Sequence, residues 1–139
     1  MYVEIGDCPT PRRFADLAPQ LSPRKSEQGY GTTDRTATRD LFWPLLRDVL
    51  PGQWVSAALA VIWQWGSIPP HEDGTDGGRL YRVMVVLQTN PDAWCLHDGA
   101  WQQLREGGIY AADPTRPHAA INWGGEPRIH LVVDRAVEP

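Results

Sequence analysis

The sequence predicts a mainly β fold, a jelly roll of two facing sheets with one helix ahead of it. Three observations point there. Seven short segments rich in β-branched, aromatic and aliphatic residues follow one another from residue 54 onward, separated by Gly, Pro, Asn and Asp. The last of them alternates, so that successive side chains fall on opposite faces of a strand. Asp98-Gly99 sits between two tryptophan-bearing segments as a two-residue hairpin turn, because glycine accepts the positive φ that so tight a loop demands. Many short strands punctuated in this way close into a double-sheet jelly roll.

Taken in order, residues 1–39 read as an irregular segment. From Cys8 to Arg39 the chain is rich in Pro, Gly, Ser, Thr and charge and poor in large apolar residues, and it is expected to order only against the barrel or a substrate. Residues 40–139 hold the helix and the jelly-roll core of one domain. Phe42, Leu45, Leu46, Val49 and Leu50 recur at helical intervals, Asp40 is a candidate N-cap, Pro44 lies near the first turn, and Pro51-Gly52 stops the run. Residues 54–65 are apolar with many β-formers. Their Ala57-Ala58-Leu59-Ala60 centre would also suit a buried helix, and the neighbouring blocks described below favour a strand. Further strands are predicted at residues 80–89, 93–97, 100–104, 108–112, 118–123 and 128–137. On the last, Arg128, His130 and Val132 share one face and Ile129, Leu131 and Val133 the other. Trp63, Trp65, Trp94, Trp101 and Trp123 fall on or near strands and read as core, with one or two available to wall a pocket.

At 139 residues the chain has room for a single core. A net charge of −4 without a basic run argues against nucleic acid or an acidic membrane surface as partner. Charged and polar residues interrupt every apolar run before it reaches the length a bilayer requires, and residues 1–13 lack the apolar centre of a signal peptide, so a cytoplasmic location is expected. Cys8 and Cys95 are read as free thiols, because one distant pair is no disulfide framework.

The residues that carry chemistry are His71, Asp73 and His118. Two imidazoles and a carboxylate that leave other coordination positions open suit non-heme Fe(II) oxygen chemistry. Each lies where a predicted strand begins or ends: His71-Glu72-Asp73 closes an apolar run through Pro69-Pro70, and His118 follows Pro117. Glu72, between two ligands, is expected to point to solvent. Ten residues beyond His118 comes Arg128, whose planar guanidinium forks onto a carboxylate as lysine cannot.

In these blocks, Ile68 to Asp73, Arg82 to Asn90 and Gly107 to Asp134, the chain resembles the 2-oxoglutarate- and Fe(II)-dependent aspartyl/asparaginyl β-hydroxylases and their free-proline-hydroxylating relatives, with a cupin-like fold. The resemblance implies that His71, Asp73 and His118 hold Fe(II), that Arg128 binds the distal carboxylate of 2-oxoglutarate, and that Arg82 helps to hold this co-substrate. His130, on the Arg128 face, would assist in the same pocket or be satisfied inside a partly polar interior. Many members carry histidine where this chain has Met84, which removes a hydrogen-bond donor near the metal-proximal end of 2-oxoglutarate. The implied reaction consumes O2 and 2-oxoglutarate and hydroxylates an unactivated C–H of an amino acid, free or in a peptide. A cupin metalloenzyme that does not use 2-oxoglutarate, and a non-catalytic ligand-binding cupin, are the alternatives. Arg79, Asn122 and Trp123 are further substrate-contact candidates, and His97, beside the Asp98-Gly99 turn, reads as a surface residue.

Overall fold

The computed structural model describes residues 1–137. Its elements in chain order are β1 (Val3–Asp7), α1 (Pro11–Ala15), a 3-10 turn (Ala18–Leu21), β2 (Tyr30–Thr32), α2 (Arg35–Leu46), β3 (Trp54–Ile62), β4 (Gly66–His71), β5 (Leu80–Gln88), β6 (Ala93–His97), β7 (Ala100–Gln102), β8 (Gly108–Ala112), β9 (His118–Asn122) and β10 (Arg128–Ala136). The strands form a six-stranded sheet in the order β1-β8-β5-β10-β3-β2 and a four-stranded sheet in the order β4-β9-β6-β7. All pairings are antiparallel.

Alternation along the central strands sorts the interior into two layers. Leu59 and Val61 of β3, Val83 and Val85 of β5, and Leu131 and Val133 of β10 face outward from the larger sheet and pack against Phe42 and Leu46 of α2. The opposite faces of the same strands carry Ala58, Ala60, Arg82, Met84, Arg128 and His130, which look across a cavity at the smaller sheet. Beyond the cavity, Ile62, Val86, Tyr110 and Ala120 join the two sheets in a second apolar cluster. In the β6–β7 hairpin, His97 pairs with Ala100, and both turn residues have positive φ, 49° at Asp98 and 84° at Gly99. This is the predicted two-residue turn.

The two open seams between the sheets are closed by the N-terminal segment. At one, Trp63 and Ser67 donate their N–H groups to Gly29 O and Gln28 O, both at 2.9 Å. A Cβ on Gly66 would collide with Gly29 O, so only glycine permits that approach. At the other, the Tyr2 N–H donates to Gln102 Oε1 at 2.7 Å and Gln102 Nε2 donates back to Tyr2 O at 3.2 Å.

Three expectations are corrected here. Residues 1–39 are not irregular: β1 and β2 are the two edges of the larger sheet, their short runs too polar to signal strands on their own. The helix begins at Arg35, capped by Asp34, whose Oδ1 accepts the Ala37 N–H at 2.7 Å. Asp40 is therefore an interior residue, and the helix ends at Leu46 with Pro44 in its last turn. Its first turns are anchored by Thr38, fully buried and hydrogen-bonded to Thr33 and to the Asp34 carbonyl, a polar contact that a search for apolar spacing passes over. The tryptophans are mostly not core: Trp65, Trp94, Trp101 and Trp123 are exposed, and Trp54 is the buried one. Both cysteines are free and buried. No helix among the described residues is long and apolar enough to cross a membrane.

Candidate active site

β4 is an edge strand, so the missing N–H groups of Pro69 and Pro70 break no interior ladder. Its register against β9 slips between Ile68 and His71, a bulge that re-aims the end of the strand. His71 then pairs with His118, and His118 with His97, so three histidines form one row across β4, β9 and β6. Asp73 follows just beyond β4, and its N–H donates to Pro114 O at 2.7 Å, tying it to the loop that leads into His118.

Each ligand candidate is held by a backbone contact. His71 Nδ1 lies 2.9 Å from Pro69 O, and His118 Nδ1 lies 2.9 Å from Arg116 O. A carbonyl only accepts, so in the neutral rings the hydrogen is on Nδ1 and the Nε2 lone pair points the other way. Both Nε2 atoms lie 3.4 Å from one oxygen, Asp73 Oδ2. Three electron-rich atoms thus converge within 4.8 Å of one another, an arrangement that repels until a cation lies among them. The donors fit a divalent first-row metal and form the two-histidine, one-carboxylate set that leaves positions open.

Arg82 stands behind Asp73. Its Nη1 donates to Asp73 Oδ2 at 2.9 Å, while Nε and Nη2 donate to the two oxygens of buried Asp134 at 2.9 and 3.2 Å. Burial favours the neutral acid of Asp73, but the hydrogen bond and charge of Arg82 outweigh it, and its carboxyl stays below the usual range. Three of the five guanidinium N–H groups of Arg82 are thus committed to carboxylates. It lines the cavity as expected, but its contacts make it the residue that fixes Asp73.

Arg128 is the reverse case. It is 3% exposed, and its contacts are Nη2 to Ala60 O at 3.3 Å and Nη1 to Cys95 Sγ at 3.8 Å, with Nε left unpartnered. Burial works against its charge, and the Cys95 sulfur is the side-chain atom that accepts from it. A buried guanidinium without a carboxylate is costly and calls for an anion in the cavity it faces. His130, one turn of alternation along β10, is 1% exposed. Burial first, and then the Arg128 charge, push its imidazole well below the ordinary range.

His71, Asp73, Arg82, Met84, His118, Arg128 and His130 all line one cavity of about 540 Å³, and small Ala58, Ala60, Ala112, Ala119 and Ala120 leave the space for it. Glu72 points to solvent as expected. His97 does not: it is 5% exposed and lines the cavity, its Nε2 bonding Asp113 O at 2.9 Å and its Nδ1 unpartnered. The hairpin turn exposes its neighbour Asp98, but alternation turns His97 inward. Asn122 is buried away from the cavity, where it bonds Ile62 O, Glu126 O, Asn90 and the Gly124 N–H. Arg79 and Trp123 are exposed outside the cavity. Tyr2, Tyr30 and Arg35 line it without having been anticipated.

A model of the aspartyl/asparaginyl β-hydroxylase family matches residues 37–137. The chain belongs to this family. Among solved structures, this hydroxylase-family chain is similar to the non-heme alpha-ketoglutarate-dependent epimerase SnoN from nogalamycin biosynthesis, at 13% identity and a TM-score of 0.66 over 96% of this chain and 77% of that one. It is also similar to a predicted oxalate decarboxylase from Thermotoga maritima, at 9% identity and a TM-score of 0.56 over 86% and 96%. A protein from Thermus thermophilus matches at 14% identity and a TM-score of 0.55 over 86% and 93%. At these identities the likeness is one of fold, the cupin-type jelly roll.

Two predictions follow from this geometry. Replacing His71, Asp73 or His118 with Ala should remove most affinity for a divalent metal while leaving the thermal midpoint of the metal-free protein within a few degrees, as read by metal titration and circular dichroism; full stoichiometry in the triple variant would end the assignment. The second concerns acid stability. His130 stays neutral in the folded protein, whereas the unfolded imidazole takes up a proton below its ordinary value of about 6.5. The unfolded state therefore binds more protons, and the His130 contribution to stability falls as pH drops through that value, by at most about 1.4 kcal/mol per pH unit. His130→Gln should flatten urea-unfolding stability against pH between about 6.5 and 5, and an unchanged slope would assign the acid loss to other groups.

Proposed function

We propose that this member of the hydroxylase family is a 2-oxoglutarate- and Fe(II)-dependent dioxygenase that hydroxylates a C–H bond of an amino acid. The observation that carries the reading is the pairing, in one cavity, of an open His71–Asp73–His118 donor set with a buried Arg128 that lacks a carboxylate. A 2-oxo diacid answers both needs, one end at the metal and the other on the guanidinium. SnoN, which shares the fold, is described as alpha-ketoglutarate-dependent, and this supports the choice of co-substrate.

His71, Asp73 and His118 would hold Fe(II), which would supply the redox chemistry that couples oxidative decarboxylation of 2-oxoglutarate by O2 to hydroxylation of the substrate. The protein orients and shields. The Pro69 and Arg116 carbonyls fix the tautomers of the two imidazoles, and Arg82 keeps the Asp73 carboxylate ionised and in place. Arg128 and neutral His130 line the interior away from bulk water, where a fork onto a carboxylate is worth more than it is at the surface.

Arg35, at the start of α2, bears on the substrate. It is 64% exposed along its side chain, and its contact with Asp134 Oδ2 is a loose 3.6 Å, while Arg82 holds both oxygens of that carboxylate at 2.9 and 3.2 Å. A guanidinium with capacity to spare at the cavity wall favours a substrate that brings its own carboxylate, a free amino acid over an internal peptide residue.

Incubation with Fe(II), 2-oxoglutarate and a panel of free amino acids and their amides, followed by mass spectrometry for gain of one oxygen and by assay of succinate, tests the reaction. Arg128→Lys should retain metal yet raise the apparent KM for 2-oxoglutarate about ten- to a hundredfold, the equivalent of about 1.5–3 kcal/mol for a lost charged hydrogen bond; an unchanged KM would move the anchor elsewhere. Arg35→Gln should raise the KM for a free amino acid severalfold and leave that for 2-oxoglutarate alone. Equal turnover of an amino acid and its amide would rule Arg35 out as the carboxylate contact.

A further inference from the structure

Tyr2 lies outside the residues that match the family, 37–137, yet its side chain is inside the cavity. It is 6% exposed, and it lines the same cavity as Arg128 and His97. The residue is held in place: its backbone is locked to Gln102 by two hydrogen bonds, and its ring lies 4.7 Å from that of His97. Gln102 pairs with Cys95, and Cys95 Sγ is the atom that touches Arg128 Nη1. The lock therefore sets Tyr2 against the strand position beside Arg128.

Burial above all, and then the neighbouring Cys95 thiol, raise the phenol pKa, opposed by Arg128 and more weakly by Arg82. The phenol remains a protonated donor. Nearby, Met84 offers no donor, and Arg128 Nε and His97 Nδ1 are both unpartnered. Arg128 Nε, His97 Nδ1 and the Tyr2 phenol thus face one cavity as polar groups.

Resting on the co-substrate reading above, we propose that Tyr2 is a second binding residue for the distal carboxylate of 2-oxoglutarate, its O–H donating to the same carboxylate that Arg128 holds. The N-terminal segment then does more than seal a seam between sheets: it contributes a specificity-determining contact that selects a diacid over a simple 2-oxo acid. Sealing needs only the ring, whereas the contact needs the hydroxyl, and Tyr2→Phe separates the two.

The experiment is calorimetric titration of 2-oxoglutarate, and separately of 2-oxopentanoate, into anaerobic Fe(II)-loaded wild-type protein and Tyr2→Phe, with metal stoichiometry and thermal midpoint measured on both. Tyr2→Phe should weaken 2-oxoglutarate roughly tenfold and leave unchanged the weaker binding of 2-oxopentanoate, which has no distal carboxylate. Unaltered 2-oxoglutarate affinity in Tyr2→Phe overturns the proposal while the co-substrate reading stands. An equal loss for both acids overturns it as well, because the ring would then be acting through packing. Failure of the wild-type protein to bind 2-oxoglutarate overturns the co-substrate reading itself and this inference with it.

Discussion

The two-faced character of β10 is the constraint on which the molecule depends. One face of this strand buries Ile129, Leu131 and Val133 beneath α2, and the other puts Arg128, His130 and Asp134 in the interior. Desolvating a guanidinium that has no carboxylate costs several kcal/mol, and His130 is held neutral at a further cost. Fully buried Leu59, Val83, Leu131, Val133, Phe42 and Leu46 lie on the other side of the same sheet, each contributing about 1.5–3 kcal/mol. A strand cannot shift by one residue without exchanging these faces, so the register that makes the apolar layer also aims the polar one.

The polar layer is organised as a chain of alternating charge, Asp73 to Arg82 to Asp134 to Arg35. It runs from the convergent donors to the start of α2, so the helix that covers the apolar face also supplies the outermost member of the polar chain. Arg82 holds the Asp73 carboxylate from behind, the kind of support that commonly orients a metal ligand.

How much of this was legible depended on the kind of signal each residue carried. Strands β3 and β5 to β10, the hairpin turn and the shared face of Arg128 and His130 rest on period-two alternation and turn chemistry, which are written locally, whereas β4 was not among the predicted strands, because Pro69-Pro70 masks it as a loop. The convergence of His71, Asp73 and His118 was legible through motif and order, although the carbonyl contacts that fix their tautomers were not. The start of α2 escaped because Thr38 buries a hydroxyl where an apolar residue was sought. His97 was misread because a turn exposes only one of two adjacent residues, and the sequence alone did not say which. Arg82 was visible as a site residue, but its commitment to Asp134 depends on a pairing fifty-two positions away along the chain. Nothing near Tyr2 marks it, since its position follows from a seam between two sheets that exists only once both are folded.

The placement of the tryptophans has a consequence for optical work. None of the seven lines the cavity, and Trp65, Trp94, Trp101 and Trp123 present their indoles to solvent. Intrinsic fluorescence excited at the indole band is therefore dominated by emitters in water, red-shifted before any unfolding and largely indifferent to what fills the interior. A quenching titration would report collisions at the outer surface. The chromophores that share the cavity are the phenols of Tyr2 and Tyr30, so a difference spectrum in the tyrosine region is the intrinsic optical signal in which occupancy would register.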